Sequence, residues 1–443
     1  MDELPEGWQR VRLGDLIEGI DSGKNVRCEE RPPRPDERGI VKISAVTWGE
    51  FDPVEAKTAP PGLVLDAATR IRSGDLLMSR ANTLQLVGAT VVVTDDPGNL
   101  YLSDKVLRLR ARPGMARWLD LFLRSPEGRA EIEGRATGNQ LSMRNIGQEA
   151  IRGIEVPLPP PVEQHRTVAR IEALFARTRR ARAELRRVEA LARRHRAQVL
   201  ATTFDAEAEA SQGTAIADLA ATVFDGPFGS NLKSDDYSAT GIRVVRLENI
   251  GHLRFIADKE TFIPEAKAET LSRHTLRPGD VLFSSFVDRE VRVCVLPDDL
   301  PTAAINKADC FCIRVGATCL PEFLAYRLST PATYEHMKET VHGATRPRVS
   351  LAQLKRYRIE LPTVDEQRAT VKAIGAARAR ADKAEAEAIR ALALLDRLDA
   401  AILARAFRGE LVQQDPADEP AAPLLARTRA GTDAQPRRTR RAA

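Results

Sequence analysis

The amino-acid sequence predicts an α+β fold in which two β-rich halves follow one another as a pseudo-two-fold repeat, separated by a long antiparallel two-helix coiled coil. Three observations carry that expectation. Val162–Phe204 holds no Gly or Pro and places small or apolar residues three and four positions apart, the seam of a helix that pairs with another. A second seam in the same register lies 203 positions later. Ahead of each rod, short β-type segments recur in the same order, which marks an internal repeat.

The first seam is Ile171, Leu174, Thr178, Ala181, Leu185, Val188, Ala192, His195 and Val199; the second is Ile374, Ala377, Ala381, Ala384, Ala388, Ala391, Leu395, Leu398 and Ile402. Pro161 and Pro362 mark where each rod can start, because proline is tolerated at or before a helix's first turn. At about 1.5 Å per residue each rod is about 60 Å long. So narrow an apolar stripe needs a partner, and its alanines let two backbones approach. His195 is expected as a polar residue inside the seam. Rods related by a dyad across their axes run antiparallel, which predicts a dumbbell with one half at either end.

Within the halves, Gly39–Val46 echoes Gly241–Ile250, and Phe51–Lys57 echoes Phe262–Lys267. Ile71–Ser79 echoes Leu276–Ser284, Trp118–Pro126 echoes Phe323–Pro331, and Arg152–Pro159 echoes Lys355–Pro362. The β-branched runs Val87–Thr94, Lys105–Leu109, Ile242–Leu247 and Val291–Leu296 are bounded by turn residues and read as strands. Ser73-Gly-Asp75 and Pro278-Gly-Asp280 read as turns feeding apolar strands. Residues 115–134 and 319–342 read as helical, each interrupted by Ser/Thr-Pro. The expected boundaries are 1–160 and 206–362 for the halves, 161–205 and 363–410 for the rods, and 411–443 for a tail without structure.

A chain of 443 residues needs more than one core. No apolar run is long enough to span a membrane, and the start MDELPEGWQR lacks the apolar core of a secretory signal. Five cysteines without a CxxC pair fit a reducing cytoplasm. Net charge is +5, and the first rod alone carries eleven Arg against four Glu. Such a surface points to an anionic partner, with nucleic acid first.

Two loops carry candidate base-reading chemistry. The stretch Thr137–Asn145 holds Asn139, Gln140, Arg144 and Asn145, and its counterpart Gly343–Arg348 holds Arg346 and Arg348. Arg pairs bidentately with guanine, and Asn or Gln with adenine. Asp225-Gly-Pro-Phe-Gly-Ser-Asn-Leu-Lys233 is a Gly-rich loop suited to phosphate contact, offering Phe228, Ser230 and Lys233; Asp21–Asn25, with Lys24, is its shorter counterpart. Neither has the spacing of a nucleotide P-loop.

A free-standing metal-dependent nuclease using Asp36, Glu55 and Lys57 is the alternative, since acids that hold a metal beside a lysine can activate water. The second half repeats Glu265-Ala-Lys267 without a matching Pro-Asp, which favours a scaffold origin. The chain carries neither the cofactor-binding glycines nor the Asn/Asp-Pro-Pro-aromatic loop of a base methyltransferase. Cys294, Cys310, Cys312 and Cys319 lack zinc-finger spacing and read as buried thiols.

Taken in order, these residues resemble the DNA-specificity subunit of type I restriction-modification systems over about residues 4–425. The matching features are Leu4-Pro-Glu-Gly-Trp8 with Leu13–Leu16, the two Ser/Pro-Gly-Asp strands, and Arg80-Ala-Asn82-Thr83 followed by Leu86-Val-Gly88. The lead-ins Leu158–Gln164 and Leu361–Gln367, and the closing Ile402–Leu411, complete the match. The resemblance implies two target-recognition domains reading a bipartite DNA site, with helical spacers that set the gap and dock two modification subunits. It adds Arg80 and Asn82 to the candidate DNA-binding residues. It assigns docking to Ile171, Leu174, Leu185, Val188, Val199, Ile374, Leu395, Leu398 and Ile402. S-adenosylmethionine, ATP and magnesium are expected on the modification and restriction (motor) subunits. No cofactor, metal or catalysis is expected on this chain.

Overall fold

In the computed structural model, which describes residues 4–140, 143–204, 213–300, 303–340 and 348–423, the two halves share a strand order. The main antiparallel sheet of the first runs Ile17–Ser22, Val106–Ala111, Leu76–Ser79, Thr90–Val92; that of the second runs Ala220–Phe224, Cys310–Val315, Val281–Ser284, Val293–Val295. Leu76–Ser79 and Val281–Ser284 are buried at every position, so both read as unbroken apolar runs rather than alternations. A smaller sheet repeats too: Gly39–Val41 pairs in parallel with Leu100–Tyr101, and Ile242–Val245 with Ala304–Asn306. The first strand of each half closes on its last, Gln9–Arg12 on Glu155–Leu158 and Thr214–Ala215 on Arg358–Ile359.

The recurring turns have a shared cause. Gly74 and Gly279 sit at φ +86° and +82°, a conformation glycine adopts without strain. Asp75 accepts from Arg72 N–H at 2.9 Å, and Asp280 from Arg277 N–H at 2.7 Å. The same carboxylates reach across the sheet to Arg108 at 3.2 Å and Arg314 at 2.7 Å. Helices Ala116–Arg124 and Pro126–Arg135 break at Ser125, whose hydroxyl caps Gly128 N–H. Pro321–Leu328 and Pro331–Thr340 are the counterparts, with Thr330 capping Thr333 N–H.

Two long helices follow the halves, Pro161–Thr203 with 43 residues and Val364–Phe407 with 44. Each is hooked by the Gln of its lead-in: Gln164 donates to the Gly114 carbonyl and Gln367 to the Thr318 carbonyl. The chain divides into two units, residues 1–183 with 391–443, and residues 184–390. In the first unit Ile171 and Phe175 share a core with Ile402, Leu403, Ala406 and Phe407, while Arg182 pairs with Asp399 at 2.6 Å and Asp396 at 2.7 Å. Higher numbers on one helix meet lower ones on the other, so the helices run antiparallel. In the second unit Arg196 pairs with Asp382 and Glu385, and Phe204 packs on the core that Val371 joins. The direction there is antiparallel as well.

The seam departs from the expected one in part. Ile171, Ala192, Ile374, Ala377, Ala381, Ala388 and Ile402 are buried, and Leu174, Leu185, Val188, Val199 and Leu395 partly so. Leu398, at 47% exposure, faces out, as do Ala181, Ala384 and His195, so His195 is no seam residue. An α-helix drifts about 20° per heptad from a strict seven-residue reading, and Phe175, Leu200 and Leu403 take up buried positions instead. The expected structureless tail also needs correcting over 411–423. Leu411 packs on the first core, Asp418 pairs with Arg166 at 2.6 Å, and Ala421 N–H donates to the Gly7 carbonyl.

The cysteines are core residues: Cys294, Cys310, Cys312 and Cys319 are buried, and burial pushes the thiols of Cys294, Cys310 and Cys319 up to about 12. Cys28 is half-buried. An alkylating reagent at mildly alkaline pH is therefore expected to label Cys28 and spare the other four, as peptide mass mapping would read; labelling of Cys312 in the folded chain would contradict the burial.

Candidate nucleic-acid interface

Backbone pairings bring the same strand ends together in each half. In the first, Arg80 N–H donates to the Lys105 carbonyl at 2.8 Å, and the Arg80 carbonyl accepts from Ile146 N–H at 3.0 Å. In the second, Ser285 N–H donates to the Asp309 carbonyl at 2.8 Å, and its carbonyl accepts from Val349 N–H at 2.8 Å. Asn145 pairs with Ala81, and Arg348 bridges Phe286. Asn145 and Arg348 thus hold equivalent places in the repeat, as the two polar loops suggested.

Around Arg80 the first half opens a cleft of about 420 Å³. Its polar lining includes Arg80, Asn82, Asn145, Asp104, Lys105 and Ser44, and Trp48 and Met143 stand at 75% and 59% exposure beside them. Thr137–Gln140, Met143–Asn145 and Ala81–Asn82 form a three-stranded sheet along this cleft, in which Arg144 lies opposite Asn82. Asn139 and Gln140 fall on the first of these strands. Arg144 donates to the Gly138 carbonyl at 2.7 Å, so part of its guanidinium holds the hairpin. Its buried Nε has no partner.

Gly23 and Gly226 also hold equivalent places, for a reason other than ligand approach. A Cβ on Gly23 would lie 1.8 Å from the Leu102 carbonyl oxygen, and one on Gly226 would lie 2.1 Å from the Lys307 carbonyl carbon. The glycines admit the chain's own backbone. Lys24 and Lys233 beyond them are exposed, as is Phe228 at 54%. Ser230 lies in the turn Gly229–Asn231, and Arg346 lies outside the described residues. Arg348 is half-exposed and pairs with Asp309 at 3.1 Å, which fixes its guanidinium at the strand end. Lys307 beside it stacks its ammonium 4.9 Å from the Tyr237 ring centroid.

Sequence reasoning missed Trp48, Lys105, Lys307 and Asp309. No single-sequence signal marks them, because each gains its place through strand pairing with distant residues. The nuclease set is not assembled. Glu55 accepts from Ser44 and Lys42, which lower its pKa, and Lys57 turns to Glu30. Asp36 lies in a turn outside both contacts. Among the described residues no group of His, Cys, Asp and Glu could hold a metal ion, and no helix is long and apolar enough to cross a membrane.

No family model matches the chain. It is 24% identical to the EcoKI type I restriction enzyme specificity subunit of Escherichia coli K12, over 94% of this chain and 92% of that one. It is 31% identical to the EcoEI specificity subunit of Escherichia coli over 39% of this chain, a match that spans 30% of the EcoEI subunit's length. A chain solved in work on complex assembly and conformational transition of the type I R-M system shares its fold, with a TM-score of 0.67 and 22% identity over 93% of this chain and 100% of that one. Similarity along nearly the whole length meets here a fold that repeats itself strand for strand. Along nearly its whole length the chain is similar to specificity subunits of type I restriction-modification systems.

Proposed function

We propose that this chain is the DNA-reading, non-catalytic subunit of a type I restriction-modification complex, each half contacting one part of a bipartite duplex target. The observation that carries this reading is the repeat of a polar strand end, Arg80 with Asn82 and Asn145 in one half and Arg348 in the other. Arg and Asn supply the bidentate donors and acceptors that distinguish bases, and the exposed Lys24, Lys105 and Lys233 supply phosphate contacts. Trp48 and Met143 offer apolar surface to a base face or a thymine methyl.

In this reading residues 1–160 and 206–362 are the recognition domains, and 161–205 and 363–410 the spacers. Two modification subunits dock on the spacers, and restriction subunits join them in the cytoplasm. S-adenosylmethionine, ATP and magnesium belong to those partners. The seam residues hold the helices to each other, which leaves docking to outward-facing apolar side chains. Leu191, Ile389, Leu394 and Leu398 are such residues, each between 47% and 62% exposed.

The test is DNA binding by the assembled complex with Arg80→Ala plus Asn145→Ala, and separately with Arg348→Ala. Each is expected to cost roughly 1–3 kcal/mol and to relax specificity in one part of the target only. Unchanged affinity and unchanged specificity in both variants would remove the proposed interface.

A further inference from the structure

The second unit contains a cleft of about 980 Å³ that the DNA-reading residues do not use. Arg193 and Arg378 project into it from the long helices, Arg254 and Arg289 from loops, and Tyr326 and Tyr334 line its wall. Its acids are already engaged: Asp382 and Glu385 pair with Arg196, and Glu290 lies 3.5 Å from His252. Arg193 takes Glu189 at 3.0 Å. Arg378 is different. Its Nη1 is buried without a hydrogen-bond partner, and it forms no ion pair among the described residues. Burial, its largest influence, pulls its pKa below the ordinary arginine value.

The repeat provides an internal control. Arg378 stands 203 positions after Phe175, which is 5% exposed and packed in the first unit's core. The scaffold therefore accepts an apolar ring at this place, and the second unit has a guanidinium there with open space around it. Gly375, one turn earlier, leaves that space unfilled: a Cβ there would come no nearer to the Tyr326 hydroxyl than 3.9 Å. Glycine inside a helix is less favourable than alanine. The cleft thus combines a half-buried guanidinium, unpaired among the described residues, with three further exposed arginines, while its nearby carboxylate Asp382 is paired to Arg196.

We propose that this cleft binds the phosphate group of a small phosphate-bearing molecule, with the Arg378 guanidinium as its anchor. A planar fork of donors matches phosphate oxygens bidentately, and the volume lies in the range of small-molecule sites. Arg254 and Arg289 face the remaining charge, while Tyr326 offers a hydroxyl and Tyr334 a ring to whatever the phosphate carries.

Calorimetric titration of the full chain in chloride buffer, with inorganic phosphate in one arm and adenosine monophosphate in the other, tests this. Binding of at least one probe is expected with a dissociation constant below about 1 mM. Tighter binding of the nucleotide would identify an organic phosphate as the natural source, and equal binding would identify free phosphate. Arg378→Met is expected to weaken binding about tenfold or more and, without phosphate, to melt no lower than the parent. Should that variant fail to fold, Arg254→Ala with Arg289→Ala, both at exposed loop positions, must weaken binding instead. Absence of binding by both probes, or equal binding by Arg378→Met, would overturn the proposal; capture of only a carboxylate-rich peptide would do so too.

Discussion

Phe407→Ala is expected to destabilise the first unit by about 3–5 kcal/mol, the range for truncating a packed core phenylalanine. Phe407 is 1% exposed, and its ring centroid lies 4.8 Å from Trp118 and 5.2 Å from Phe122, edge to face in both cases. Removing the ring loses its burial and two favourable aromatic contacts. It also weakens the seat of the second long helix, because Ile402, Leu403 and Ala406 enter the same core. Denaturant unfolding monitored by tryptophan fluorescence would read it, since Trp8 and Trp118 lie in that core and Trp118 touches the ring. A loss below about 0.5 kcal/mol, the level of an ordinary surface change, would mean that the helix end is not anchored there.

Deleting one facing heptad from each long helix is expected to shorten the preferred gap between the two parts of the DNA target by about three base pairs. Seven helical residues span about 10 Å, and a base pair rises 3.4 Å. The heptads to delete are Arg182–Val188 and Ala393–Asp399, one starting and the other ending on the Arg182–Asp399 ion pair. Removing both keeps each remaining seam in phase and takes out both sides of the Arg182 pairs together. Mapping methylated adenines in cells that carry the shortened chain measures the gap. An unchanged gap with full methylation would separate the helices from spacing altogether, while leaving the reading of each half intact.

Much of this architecture was legible because the sequence states it twice. Ser73-Gly-Asp75 and Pro278-Gly-Asp280 could be read as turns from residue chemistry alone, and both place glycine at positive φ. The long helices were legible from uninterrupted periodicity, although Leu398 and His195 show how a fixed heptad drifts off the contact face. The proposed interface was legible only where polarity was local. Asn145 and Arg348 lie in conspicuous polar loops, whereas Lys105 and Asp309 are set beside them by backbone pairings to Arg80 and Ser285. Strand partners far apart in the chain leave no local mark. The same limit explains the nuclease alternative: Asp36, Glu55 and Lys57 are near in sequence, yet Glu55 and Lys57 turn to Ser44, Lys42 and Glu30.

The makeup of the two units carries a consequence for biosynthesis. The second is one uninterrupted segment, residues 184–390, whereas the first needs Ile402, Leu403, Ala406, Phe407 and Ala421 to fill a core begun by its amino-terminal strands. On the ribosome the later-made half can therefore finish before the earlier one. The nascent first half must wait with the slot for Phe407 open, exposing Trp118 and Phe122 until the second long helix has been made.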